Sequence, residues 1–406
     1  MGTDAALLYN PFDPEFRADP YRFYDRLRVE QPAHRSPAGL VVLTRYDDVV
    51  QTLRNPAMSR DVETTATPRT DPVSVRRRER AQAGTKTILN LDPPDHTRLR
   101  RLVSKAFTPR AVERLRGRME QLVDDVLDRA EERGRMELVD ELAFPIPFQV
   151  ISDLLALPDE RADDIREWSQ LLTASLEPTV SLEMFDAADE AALALRAHLA
   201  EIIADRRNDL GDDVLSALIV AEEDGERLSA EELLSFVILL YVAGHETTVN
   251  LIGNGVLALL GNRSELDRWR DDPGLDATAV DELLRYDGPV QHTVRVATGP
   301  MSFHGVDVDA GDALLCVLGA ANRDPAVFDQ PGELRLDRAN AAQHLAFASG
   351  IHYCLGASLA KLEAGVAISQ LIRRFDRLEL LEEPEFRDRL TIRGVERMEL
   401  DVSRSG

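Results

Sequence analysis

The longest apolar stretch runs from Leu233 through Leu260 and is hydrophobic on nearly every face. Ser229-Ala230-Glu231-Glu232 stands before it as a capping box, with Ser229 at the N-cap and Glu232 three residues on. At 1.5 Å per residue the run predicts a helix of roughly 40 Å, buried through the middle of the protein. A membrane span is the competing reading. It fails because His245, Glu246, Thr247, Thr248, Asn250 and Asn254 interrupt the run at its centre.

Shorter periodic pieces surround this helix. Pro20–Val29 is helical in pattern, 39–44 reads as a strand, and Tyr46–Leu53 reads as a helix closed by Asn55-Pro56. From Asp61 to about Lys86 the chain is Thr-, Pro- and Arg-rich without period, which suggests a long loop serving as a lid. Two prolines then precede Asp95, a candidate cap for a helix that carries His96 and Arg100 four apart on one face. Helical patterns follow at Met119–Arg133, Pro145–Leu157, Asp159–Ser175 and Met184–Arg207. Pro289–Arg295 reads as a strand. Met301–Val308 and Ala313–Leu318, joined through Gly311-Asp312, suggest a small sheet with Cys316 buried in it.

Three places carry candidate chemistry. Cys354 stands between Gly350 and Gly356, just ahead of a helical run from Ala357 to Ala367. A helix N-terminus favours a thiolate, and glycines let the backbone turn sharply and approach a flat ligand. The same residues also fit an ordinary buried cysteine in a turn. The second place is Ala243-Gly244-His245-Glu246-Thr247-Thr248. A carboxylic acid in the middle of a buried helix is costly unless something uses it, Gly244 removes bulk where a ligand can press, and Thr247 is placed to bond a carbonyl one turn back. A polar kink satisfied by neighbouring loops is the alternative. The third is Glu282-Leu283-Leu284-Arg285, an acid and a base at i, i+3 that taken alone is a surface pair.

Composition narrows the classes. The chain has 406 residues with 44% hydrophobic and a mean hydropathy of −0.24, as in a soluble globular protein. A net charge of −24 argues against general nucleic-acid binding and against adhesion to an anionic membrane. Two cysteines cannot make a disulfide framework, and the first nine residues lack the basic region and apolar core of a signal peptide, so a cytoplasmic protein is expected. Between Arg98 and Arg118 eight basic residues face a single acid, Glu113, an unusual local excess.

Phe347, Gly350, His352, Cys354, Gly356, Leu359 and Ala360 together resemble the haem-ligand loop of the cytochrome P450 family, seven matched positions in fourteen, with Ala348 where members often carry a second glycine. The resemblance extends from about Pro11 to near Val402, nearly the whole chain. It implies a mainly α (α+β) fold, one P450 domain over 1–406, with a large helical lobe and a smaller β-rich lobe around one haem b. It makes Cys354 the iron ligand. It places His96, Arg100 and Arg295 on the haem propionates, with Ala243, Gly244, Phe347, Gly350, His352 and Gly356 beside the cofactor. Glu246 and Thr247 become a proton relay to bound dioxygen, and Glu282 with Arg285 becomes a buried structural pair completed by Arg338. Leu239, Val290, Gln291 and Ile392 would line a pocket for a lipophilic small molecule, hydroxylated as the default outcome. By the same resemblance the helices flanking the polar break near Glu177-Pro178 cover the site, and the basic run faces an electron donor. No flavin motif or cluster cysteines are seen, so electrons from NAD(P)H are expected through a separate ferredoxin and reductase. A peroxide-driven peroxygenase and a non-catalytic gas sensor are the rivals.

Overall fold

The structure, a computed structural model, describes residues 9–66, 71–83, 86–105, 107–158, 161–177, 180–223 and 225–403. The expectations about the first eight residues and parts of the 61–86 segment therefore lie outside the described residues.

Helices dominate. The first seven are α1 (Pro14–Ala18), α2 (Pro20–Glu30), α3 (Tyr46–Arg54), α4 (Pro72–Ala83), α5 (Asp95–Ser104), α6 (Pro109–Glu113) and α7 (Arg116–Arg133). The centre holds α8 (Pro145–Leu155), α9 (Ala162–Ala174), α10 (Leu182–Arg206), α11 (Val214–Val220) and α12 (Ala230–Gly261). After these come α13 (Arg263–Asp271), α14 (Ala279–Asp287), α15 (Leu318–Ala321) and α16 (Ala357–Arg374).

The central helix α12 starts where the capping box puts it. The Glu232 N–H donates to Ser229 Oγ (3.2 Å) and the Ser229 N–H donates to the Glu232 carboxylate (2.8 Å). By length and composition it is the one described helix able to cross a membrane. Here it runs through protein instead: Val237, Tyr241, Ile252 and Val256 are buried in one cluster with Ile151 of α8, Leu283 of α14 and Ile368 of α16. Burying side chains of this size contributes about 1.5–3 kcal/mol each, so the helix is held by packing on several neighbours rather than by intrinsic propensity.

The β part is smaller. One five-stranded sheet has the order β1 (Ala33–Arg35), β2 (Val41–Leu43), β10 (Ala313–Val317), β7 (His292–Ala297), β3 (Met58–Ser59), antiparallel except where β10 runs parallel to β2. A three-stranded sheet joins β11 (Arg377–Leu380), β14 (Glu399–Ser403) and β4 (Arg135–Glu137). Hairpins are formed by β5 (Glu222–Glu223) with β6 (Glu226–Arg227), β8 (Met301–Phe303) with β9 (Val306–Val308), and β12 (Glu385–Phe386) with β13 (Val395–Arg397).

Three expectations change. The segment read as a structureless lid contains α4, and arginines supply its middle without a clear apolar stripe, which is why periodicity missed it. Met301–Val308 does not pair with Ala313–Leu318; it folds on itself, and Ala313–Val317 pairs with β7 and β2. Asp95 makes no capping bond: Pro94 occupies the N-cap and Asp95 lies in the first turn, where its charge still suits the helix dipole.

Candidate active site

The cysteine loop is closed by its own backbone. The Cys354 N–H donates to the Phe347 carbonyl (3.1 Å) and the Tyr353 N–H to the Gly350 carbonyl (3.1 Å), and α16 begins at Ala357 with Gly356 at its N-cap. Upstream, the Ala346 N–H donates to His344 Nδ1 (3.1 Å), whose Nε2 faces Asp281 (3.3 Å), and Asp281 also pairs with Lys361 (2.9 Å). Gly350 sits at φ 75°, and a Cβ there would fall 2.5 Å from the carbonyl oxygen of Leu53. Its smallness serves packing on α3. Cys354 is accessible to solvent although protein surrounds it on most sides. Burial raises its thiol pKa, opposed by the Gly356 N–H and by Arg100.

Beside this loop gather cations. His96 of α5 is buried, its ring centroid 4.2 Å from that of His352, with Arg100 one turn further along α5. Arg295 of β7 is buried and, among the described residues, its side chain donates to Thr293 Oγ1 (3.2 Å) and the Val294 carbonyl (2.9 Å). Arg60, which sequence reasoning missed, joins them and donates to the same carbonyl (3.1 Å). Burial first, then Arg295, pushes the Arg60 guanidinium down to about 10. Burial, then His96, Arg295, Arg60 and Arg100, pushes His352 down to about 3. The carboxylate that tempers His96 and Arg295 is Asp92, and its oxygens already accept from Ser59 Oγ and the Arg60 N–H (2.8 Å). His96 Nδ1 is buried and has no hydrogen-bond partner among the described residues. Concentrated, desolvated positive charge of this kind calls for an anion.

On α12, Leu239, Ala243 and Thr247 share one face at i, i+4 and i+8; Ala243 is exposed and the other two half-buried, in a helix otherwise largely covered. The Thr247 hydroxyl donates to the Ala243 carbonyl (3.1 Å), one turn back. A Cβ on Gly244 would meet Ile151 of α8 at 3.4 Å, an ordinary packing distance. Glu246 is buried and gripped by Arg387 and Arg389 (2.7 Å). Burial works to raise its pKa, but the two arginines hold the carboxyl below its ordinary value, and Oε2 has no hydrogen-bond partner among the described residues. His245 Nδ1–H donates to the Tyr241 carbonyl (2.7 Å), its Nε2 faces Ser169 Oγ (3.3 Å), and the rings of Phe144 and Phe148 pack against it. Burial lowers its pKa and keeps it neutral, a packing residue.

Val290 and Ile392 meet in an isolated antiparallel bridge. Gln291 does not join them. It is buried, its Oε1 accepts from the Tyr24 hydroxyl (3.1 Å) and its Nε2 donates to the Gly288 carbonyl (2.8 Å), so its side chain belongs to the packing of α2 and is no pocket wall. Glu282, Arg285 and Arg338 come together: Arg285 donates to both carboxylate oxygens of Glu282 (2.7 and 2.8 Å), and Arg338 Nε reaches the same carboxylate (3.0 Å). The basic run from Arg98 to Arg118 is largely neutralised. Arg98 pairs with Glu232, Arg101 with Glu226, Arg114 with Asp212, Arg116 with Glu113, and Arg118 with Asp153. Those acids come mostly from distant sequence, so the local count overstated the free charge.

An iron porphyrin, the group that the resemblance implies, fits this donor set. Its carboxylates answer the orphaned His96 Nδ1 and the guanidinium groups of Arg100 and Arg295, and Cys354 offers the soft sulfur that iron accepts.

Comparison with known proteins points the same way. The family described as "Cytochrome P450" matches residues 39–272 and 273–395. The chain is 42% identical over 402 residues to cytochrome P450 107B1 of Saccharopolyspora erythraea, covering 95% of this chain and 96% of that one. It is 39% identical over 408 residues to the vitamin D(3) 25-hydroxylase of Pseudonocardia autotrophica, covering 98% and 97%. Among solved structures, the Bacillus subtilis cytochrome P450 PksS of bacillaene polyketide synthase superposes with a TM-score of 0.89 at 36% identity, over 98% of this chain and all of that one.

Proposed function

The chain belongs to the cytochrome P450 family, and from that premise we propose how its residues divide the work of a haem-thiolate monooxygenase. The enzyme binds haem b, uses electrons derived from NAD(P)H, and inserts one atom of dioxygen into a small organic molecule, typically as a hydroxyl group. When bound, the haem supplies the oxygen chemistry, and thiolate ligation pushes electron density in the direction that favours O–O cleavage.

Cys354 is the thiolate ligand. His96, Arg100 and Arg295, with Arg60 beside them, hold the propionates, and His352 stays neutral among them and contributes shape. The observation that carries this assignment is the cation cluster next to Cys354, whose Asp92 is already occupied and whose His96 Nδ1 lacks a partner. Thr247 holds a proton-bearing hydroxyl on the open face of α12, while Glu246, kept ionised by Arg387 and Arg389, is the carboxylate one residue away that exchanges protons with water. Leu239, Val290 and Ile392 give the pocket an apolar wall suited to a lipophilic substrate. Phe347, Gly350 and Gly356 shape the ligand loop, and Glu282, Arg285 and Arg338 are structural. A separate ferredoxin and reductase deliver the electrons, the chain acts as one domain, and the cytoplasm is its compartment.

The test is spectroscopic. Reduced wild type with carbon monoxide gives the long-wavelength absorption of a thiolate-ligated haem, and Cys354→His converts it to the globin-like position. A globin-like maximum in the folded wild type overturns the assignment. Thr247→Ala lowers product formed per NAD(P)H consumed several-fold and diverts electrons to hydrogen peroxide; unchanged coupling removes Thr247 from the relay.

A further inference from the structure

One buried carboxylate has no part in the chemistry assigned above. Glu177 lies just after α9, in the joint that leads to α10, and is only 4% exposed. Its side chain accepts from three consecutive backbone N–H groups: Leu390 (2.8 Å), Thr391 (3.0 Å) and Ile392 (3.3 Å). Successive N–H groups converging in this way form an anion-binding concavity. From the opposite side, Arg77 of α4 donates to the carbonyls of Ser175 (2.6 Å) and Glu177 (3.2 Å). The gripped turn is itself fixed, because the Gln291 N–H donates to the Thr391 carbonyl (3.1 Å) and the Arg393 N–H to the Pro289 carbonyl (2.8 Å).

We propose that Glu177 is a latch: it fastens the α9 side of the helical cover to the 390–392 turn, and its release admits a bulky substrate. The bond is made to N–H groups rather than to a guanidinium, so the closed form balances charge-assisted hydrogen bonds against a carboxylate that water readily accepts. The same grip sets the backbone of Ile392 and hence the pocket wall it forms with Val290. Glu177 is therefore a positioning residue.

This inference rests on reading that cleft as the substrate site, and two measurements separate the failure of one from the failure of the other. In the haem-loaded protein without substrate, Glu177→Gln speeds amide hydrogen exchange at Leu390, Thr391 and Ile392 at least tenfold while α16 keeps its protection. Glu177→Asp, which keeps the charge but shortens the reach, gives a smaller change in the same direction and guards against a misfolded Gln variant. Stopped-flow binding of a bulky azole accelerates at least fivefold in both variants, and binding of imidazole alone stays within twofold. Unchanged exchange at 390–392 overturns the latch, and so does equal acceleration of the large and small ligands.

Discussion

Ala348 carries a cost that its neighbours explain. It sits at φ 60°, a left-handed conformation that an L side chain adopts at a penalty of roughly 1–2 kcal/mol, and it does so one residue after Phe347 in the cysteine loop. The turn is needed there because the Ala348 N–H closes onto the Leu345 carbonyl (2.8 Å) and the Cys354 N–H onto Phe347. Ala348→Gly should raise stability by about 1 kcal/mol in urea unfolding and leave the carbon monoxide spectrum in place. Glu363 of α16 makes the opposite case, a side chain whose charge is the problem. Both of its oxygens are buried, with the Thr248 hydroxyl as the polar neighbour, and burial pushes its carboxyl up to about 8 against the opposing influence of Thr248. Between the ordinary value of 4.5 and about 8, the unfolded chain has released this proton and the folded chain retains it. Stability contributed by this group therefore falls as pH rises through that window and levels off above it. Glu363→Gln should flatten the fall, by on the order of a few kcal/mol, when unfolding midpoints are compared between about pH 5 and about pH 8.

At the scale of elements, the Glu282 cluster joins α14 to the stretch that precedes the cysteine loop. Arg285 and Arg338 share one carboxylate, and the Arg335 N–H donates to it as well (2.9 Å). Removing that carboxylate leaves two buried cations facing each other, so Glu282→Gln should cost about 3–5 kcal/mol and show as loss of haem retained through purification. Conservative replacement of exposed Glu383 should do neither. Elements of this kind also mark where the chain's own text is readable. The capping box at Ser229 and Glu232, the turn-by-turn bond from Thr247 to Ala243 and the Glu282–Arg285 spacing were legible because both partners lie within one helical turn. The hold on Glu246 was not, since Arg387 and Arg389 stand 141 and 143 residues away. Arg60 and Glu177 escaped for the same reason, as each acquires meaning only from a distant strand or turn. Gln291 was misplaced by a neighbouring cause. Adjacent residues of extended chain face opposite ways, and the motif names the stretch without naming the face.

Across the whole molecule, residues 387–393 do more joining than any length of seven would suggest. Arg387 and Arg389 hold Glu246 of α12, and the next three N–H groups hold Glu177. Arg393 pairs with Asp287 at the end of α14 (3.1 Å), donates to the Arg17 carbonyl of α1 (2.9 Å), and lends its own carbonyl to Asn254 of α12 (3.1 Å). One short segment thus ties the N-terminal helices, the central helix and the cover, which argues that the helical and β-rich parts unfold together. Arg393→Ala removes the Asp287 pair and the link to α1, while Asp287 keeps the Tyr21 hydroxyl (2.7 Å), so the loss should be about 2–3 kcal/mol rather than the full cost of an orphaned charge. The two tryptophans, Trp168 in α9 and Trp269 in α13, both report on the main helical core. If the chain is one cooperative unit, fluorescence and far-UV circular dichroism give coincident transitions in wild type and in the variant, shifted by the same amount. Transitions that separate in the variant would mean that the chain is not one cooperative unit and that this segment is only a strap.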